Sequence, residues 1–82
     1  MARVKVLYWA QAREVASVAA ETVALPAGCS VGAAFRALVE SHPGLAAVGG
    51  GVQLAVNGEL AEEDAVLSDG DELAVLPPVA GG

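Results

Sequence analysis

The sequence describes a small acidic chain with room for one hydrophobic core. Its 82 residues fit a single domain, and ten acidic against four basic residues give a net charge of −6. This charge argues against a nucleic-acid-binding protein, which needs a basic surface to neutralise phosphates. Cys29 is the one cysteine, so an internal disulfide and metal sites built from several cysteines are excluded. We expect no bound metal, and an acidic surface suited to a basic patch on a partner.

The amino-terminal third predicts two paired strands. In residues 1–9 the apolar side chains alternate as in a β-strand, and the second face also becomes apolar at Leu7 and Trp9. Residues 10–17 predict a loop or a single helical turn. Residues 21–25 predict a second strand, antiparallel to the first.

One amphipathic helix follows. Ser30 is a favourable N-cap, and residues 31–39 carry apolar side chains at the spacing of one helical stripe. Pro43 ends the helix because proline restricts the residue before it. The glycine-rich residues 44–51 predict a flexible loop.

The remaining part of the chain predicts three short strands, at residues 52–56, 59–60 and 72–76. Asn57 and Gly58 form the tight turn of a hairpin, since both residues tolerate positive φ. Seven of the ten acidic residues lie in residues 59–72, which predicts a solvated acidic segment. Pro77 and Pro78 end the last strand.

This order of elements predicts an α+β fold, in which a mixed sheet is covered on one face by one main helix. That is the ubiquitin-like β-grasp arrangement. We expect one domain over residues 1–82, with a globular part at residues 1–76 and an extended, flexible tail at residues 77–82. No apolar run approaches a membrane span and no signal peptide is apparent, so a cytoplasmic protein with no membrane partner is expected.

The tail is the strongest functional indication. Pro77 and Pro78 favour an extended exit from the last strand. Gly81 and Gly82 have no Cβ atom and can therefore pass through a channel too narrow for other residues. Such a tail is suited to present a terminal carboxylate to the active site of another protein. Because a carboxylate is a poor electrophile, it needs activation by a partner, most simply as an acyl adenylate.

A second candidate site lies on the sheet face that the helix leaves open. Trp9 and Leu76 are expected on this face, and Leu60 lies there if the hairpin has the matching register. An exposed aromatic and aliphatic cluster indicates a surface that binds a partner. Arg13 lies nearby, and from its local sequence alone a solvated loop is the better interpretation.

The chain closely resembles the small subunit of molybdopterin synthase. The resemblance rests on "KVLYWAQARE" at residues 5–14, "VNGEL" at residues 56–60 and "DGDELAVLPPVAGG" at residues 69–82. It covers essentially the whole length, although the middle helix matches in pattern only.

The resemblance implies a sulfur carrier. An E1-like adenylating enzyme would use ATP to form an acyl adenylate on Gly82, and a sulfur donor protein would convert it to a thiocarboxylate. The tail would enter the large synthase subunit and transfer its sulfur to precursor Z, cyclic pyranopterin monophosphate, in molybdenum cofactor biosynthesis. The implied complex is a heterotetramer of two large and two small subunits. The carrier itself would bind no cofactor and supply no catalytic group other than its thiocarboxylate.

The same resemblance assigns residues to these contacts. Gly82 would carry the sulfur. The rest of the tail would thread the partner's active site, through Pro77, Pro78, Val79, Ala80 and Gly81. The partner interface would include Trp9, Arg13, Leu60 and Leu76.

Three alternatives remain open at this point. The nearest is the sulfur carrier of the thiamine pathway, which has the same fold and a Gly-Gly end. A ubiquitin-like modifier joined to lysines through Gly82 would begin with the same adenylate. A β-grasp adaptor would bind through Trp9 and never use its tail.

Overall fold

The computed structural model describes residues 1–48 and 51–78. In chain order these residues form β1 (Ala2–Tyr8), α1 (Ala10–Ala16), β2 (Ala20–Leu25), α2 (Val31–Ser41), α3 (Leu45–Val48), β3 (Gln53–Val56), β4 (Glu59–Ala61) and β5 (Glu72–Leu76). The predicted tail positions Val79, Ala80, Gly81 and Gly82 lie outside the described residues. Within the described ranges, no helix is long and apolar enough to cross a membrane.

The five strands form one mixed sheet in the order β2-β1-β5-β3-β4. The β1–β5 pair is parallel, with Lys5 opposite Glu72, and the other three pairs are antiparallel. The predicted antiparallel pairing of the first two strands is confirmed. With α2 packed against one face, the molecule has the predicted ubiquitin-like β-grasp fold, and β5 is its central strand.

The core lies between the sheet and α2. Alternate side chains of β1 and β5 point towards the helix and are fully buried, including Val4, Val6, Leu73 and Val75. The buried stripe of α2 joins the same hydrophobic cluster, with Val31, Ala34 and Leu38 as its members. The amino end of α2 is capped as predicted, because the Ser30 Oγ accepts a hydrogen bond from the Ala33 N–H at 3.1 Å. Among the described residues, no helix packs on the opposite face of the sheet.

The prediction of a loop or a single helical turn at residues 10–17 is wrong. The chain forms the seven-residue helix α1 there, ending at Ser17 in a left-handed conformation. Ala12 and Ala16, one helical turn apart, are buried in the core. Their methyl groups are too small to stand out as an apolar stripe in the sequence, and tertiary packing stabilises the helix.

The flexible loop predicted for residues 44–51 is also wrong in part. Residues Leu45–Val48 form the one-turn helix α3, and the Leu45 side chain is fully buried. The chain approaches α1 closely at Gly44, where an added Cβ would lie 2.7 Å from the Val15 Cγ1 atom. Residues 44–48 are therefore held by burial of one leucine and by close contact with α1.

Candidate functional site

The open face, defined as the sheet face opposite α2, carries a row of apolar side chains that crosses four strands. The strand register places Leu7 beside Ala74, Ala74 beside Ala55 and Ala55 beside Leu60. The two alanines of the central strands are short, whereas the leucines at the ends of the row are long. The open face therefore has a shallow centre between two larger apolar side chains.

Trp9 and Leu76 lie one step further along the open face. The Trp9 N–H donates to the Val75 carbonyl at 3.3 Å, which places the tryptophan beside the end of β5. Its residue remains 54% exposed, and Leu76 is half-buried opposite Gln53. Leu60 is 65% exposed on the same face. The strand register thus puts Trp9, Leu76 and Leu60 on the same face of the sheet, which is the face expected for them from the sequence.

Arg13 lies one helical turn beyond Trp9. Its backbone N–H donates to the Trp9 carbonyl at 3.4 Å, and its residue is exposed on α1. The solvated loop expected from the local sequence is therefore replaced by a helix, on which Arg13 is exposed one turn after Trp9. A cation at this position can pair with an acidic group on a partner that covers Trp9.

The tail leaves the sheet directly from its central strand. Pro77 is half-buried and Pro78 is exposed. A Cβ added at Gly51 would lie 3.6 Å from the Pro78 Cβ, so the proline ring packs beside this glycine. The root of the tail is therefore fixed next to the Trp9 and Leu76 surface.

The opposite end of β5 is held by hydrogen bonds from the turn before it. The Asp69 Oδ1 accepts from the Arg3 N–H at 2.7 Å. The Asp71 carboxylate accepts from the Ser68 N–H and from the Asn57 side chain, and these bonds lower the pKa of Asp71. These acidic residues thus organise a turn, which adds a structural role to the solvated segment predicted for them.

A network of three polar side chains was not found by sequence reasoning. The Glu21 Oε2 accepts from the Tyr8 hydroxyl at 2.5 Å and lies 2.7 Å from the His42 Nε2. The Tyr8 and His42 rings also meet edge to face at 5.7 Å. Hydrogen bonding from Tyr8, together with the bond and charge of His42, lowers the pKa of Glu21. Burial raises the pKa of Tyr8, and its bond to the Glu21 carboxylate adds to that rise. The network joins β1, β2 and the end of α2 just before Trp9.

The remaining chemistry-bearing side chains do not gather into a site within the described residues. No three His, Cys, Asp or Glu side chains lie together as metal ligands in residues 1–48 and 51–78. The half-buried Cys29 packs against the core and its thiol donates to the Ser30 carbonyl at 3.3 Å. The main surface feature of the described residues is therefore the apolar open face, which lies next to the root of the tail.

Comparison with known proteins identifies relatives of this chain. The chain is similar to the human molybdopterin synthase sulfur carrier subunit, with 36% identity over all of this chain and 97% of the human protein. It is similar in structure to the small archaeal modifier protein 1 of Haloferax volcanii, with a TM-score of 0.88 and 33% identity, covering 96% of this chain and 100% of that one.

A third similar structure is a protein–protein complex of subunits 1 and 2 of the molybdopterin-converting factor from Helicobacter pylori. The matched chain gives a TM-score of 0.69 and 25% identity, with 98% of this chain and 99% of that one covered. The resemblance to molybdopterin synthase small subunits is confirmed by these similarities. The ThiS family profile matches residues 6–82, and the protein therefore belongs to the ThiS family.

Proposed function

We propose that this protein is the sulfur carrier subunit of a molybdopterin synthase. The observation that carries the proposal is its similarity along the whole chain to the human sulfur carrier subunit of that enzyme. The structure adds a physical reason, since an apolar face with Trp9 and Leu76 lies beside the root of the tail. A partner that covers this face is positioned to receive the residues that follow Pro78.

The chemistry takes place at Gly82. Attack of its carboxylate on the α-phosphorus of ATP, in an E1-like partner, forms the acyl adenylate and releases pyrophosphate. A sulfur donor protein then delivers sulfur at the oxidation level of sulfide, which attacks the acyl carbon; the C–S bond forms as the bond to AMP breaks, which gives a thiocarboxylate. The sulfur of this group is a far better nucleophile than a carboxylate oxygen at neutral pH. Transfer to precursor Z and hydrolysis at the acyl carbon return the Gly82 carboxylate for another cycle.

The division of labour follows from these steps. The activating enzyme binds ATP, whereas the carrier binds no cofactor and contributes its tail. The large synthase subunit holds precursor Z and accepts Pro77, Pro78, Val79, Ala80 and Gly81 in its active-site channel. Trp9, Arg13, Leu60 and Leu76 form the contact surface. We place two carriers with two large subunits in a cytoplasmic heterotetramer.

A protein modifier is the second candidate function. It is favoured by the similarity to the small archaeal modifier protein 1 of Haloferax volcanii. A modifier would use the same adenylate on Gly82 but would end as an amide of a lysine side chain. The sulfur carrier of the thiamine pathway is a third candidate function, in which Gly82 would also be converted to a thiocarboxylate.

Intact mass spectrometry tests the proposal directly. The chain is incubated with its activating enzyme, ATP and a sulfur donor, and then mixed with the large synthase subunit and precursor Z. We expect the carrier to gain the mass difference between sulfur and oxygen on the Gly82 peptide, and to lose it as molybdopterin forms. A thiocarboxylate that is formed but never consumed would favour another sulfur pathway. A branched lysine peptide would favour the modifier, and a plain carboxylate throughout would favour an adaptor.

A further inference from the structure

The tail emerges between two strands to which it could continue to pair. On one side, the Lys5 and Trp9 N–H groups donate to the Asp71 and Val75 carbonyls. In a parallel pair this alternation makes residue 77 the next donor, and its acceptor would be the Trp9 carbonyl. On the other side of β5, Gln53 pairs with Leu76, so Gly51 stands opposite residue 78. Without a barrier, either pairing could extend past Leu76.

Both donors are removed by proline. Pro77 occupies the position whose N–H would face β1, and Pro78 occupies the position whose N–H would face β3. Proline has no backbone N–H, so neither residue can donate a hydrogen bond to the sheet, and only its carbonyl remains to accept one. One proline would close only one side, because successive residues of a strand bond to opposite neighbours. Two consecutive prolines close both.

The two segments that flank the end of β5 also depart from strand geometry, next to residues 77 and 78. The Trp9 carbonyl already accepts the N–H groups of Ala12 and Arg13 at the start of α1. Ala10 has a φ of 48°, which is uncommon for a residue with a Cβ atom, and it directs the chain out of the sheet. Gly51 has a φ of 83°, which glycine adopts readily and which departs from strand geometry at that residue.

We propose that Pro77 and Pro78 are positioning residues that end strand pairing on both sides of β5. Their role is to prevent the segment after Leu76 from being added to the sheet, so that it stays accessible to the channel of an enzyme. The geometry further assigns unequal roles to the two prolines. The Trp9 carbonyl already accepts two hydrogen bonds, so the β1 side has no acceptor to offer residue 77. Pro78 is therefore the more important barrier, because an N–H at residue 78 could donate to the Gly51 carbonyl. The consequence for activity rests on the proposed function.

The test replaces Pro78 by valine, which restores an N–H and favours strand geometry. Amide hydrogen exchange measured by NMR in the full chain reports whether pairing extends. In Pro78→Val we expect the amides of residue 78 and Gly51 to exchange at least about ten-fold more slowly than exposed amides. Pro77→Val should gain little protection at residue 77. Pro26→Val is the matched control, because this exposed proline follows β2 and lies outside the ladders of β5.

The rate of thiocarboxylate formation by the activating enzyme is measured on the same variants. We expect a decrease of about five-fold in Pro78→Val, from competition between the sheet and the enzyme, and no change in Pro26→Val. Fast exchange at residue 78 would overturn the inference. An unchanged rate despite protection, or a reduced rate without protection, would overturn it as well. If the wild-type chain forms no thiocarboxylate, the proposed function fails, and the exchange data alone decide whether Pro78 ends the pairing.

Discussion

If the proposed function is correct, replacing Trp9 by alanine should weaken binding to the proposed partner, the large synthase subunit, much more than other changes of exposed apolar residues. A tryptophan offers about 150–250 Å² of surface, and 54% of this residue is exposed in the free chain. If a partner covers that fraction, burial at about 25 cal/mol per Å² is worth about 2–3 kcal/mol. The dissociation constant should therefore rise about 30- to 150-fold.

Isothermal titration calorimetry with the purified large subunit measures this effect. Because the other part of Trp9 packs on its own chain, the melting temperature of the variant is determined first and binding is measured well below it. Val66→Ala is the control, since Val66 is 64% exposed but pairs with Ser30 at the start of α2, away from the open face. A change of less than three-fold in the dissociation constant of a folded Trp9→Ala chain would refute the assignment of this surface.

Three further predictions concern stability. Since the folded state lowers the pKa of Glu21, this residue stabilises the fold above its unfolded pKa of about 4.3, and the contribution is lost as the pH falls through the lower folded value. Glu21→Gln should therefore make the melting temperature fall less steeply with decreasing pH below about pH 5; an equally steep fall would contradict this. Gly44→Ala should cost about 1–3 kcal/mol of unfolding free energy in urea because of the contact with Val15, and Val15→Ala should restore part of it. Leu45→Ala should cost about 2–5 kcal/mol, and a loss below 1 kcal/mol would indicate that α3 does not anchor the segment.

Local chemistry explains which elements of the fold could be predicted. β5 was predicted with its observed bounds because the side chains of residues 72–76 alternate between the two faces of a strand. A turn precedes these residues and two prolines follow them. The hairpin turn followed from Asn57 and Gly58, which adopt φ values of 52° and 88°. The errors at α1 and α3 have a common cause. Their burial depends on contacts between segments distant in sequence, which a local pattern of alanine and glycine does not reveal.

The candidate site was predictable to the extent that it depends on strand alternation. The alternation in β1 and β5 placed Trp9 and Leu76 on the open face without knowledge of the pairing. The alanine centre of that face could not be predicted, because it depends on the register between β5, β3 and β4. The network of Tyr8, Glu21 and His42 was equally inaccessible, since its members are far apart in the sequence and no motif connects them.

The central position of β5 has a consequence for the order in which the protein can fold. β5 is the last of the five strands to be synthesised, yet it separates β1 from β3 in the sheet. The antiparallel pair of β1 and β2 can form early, whereas the parallel pairing of Lys5 with Glu72 must close nearly the whole chain into a loop. A chain interrupted before β5 would leave an inner edge of β1 unpaired and open to aggregation. The fold thus couples completion of the sheet to synthesis of the strand that carries the tail, so the sheet is closed only in chains that also reach the root of the tail.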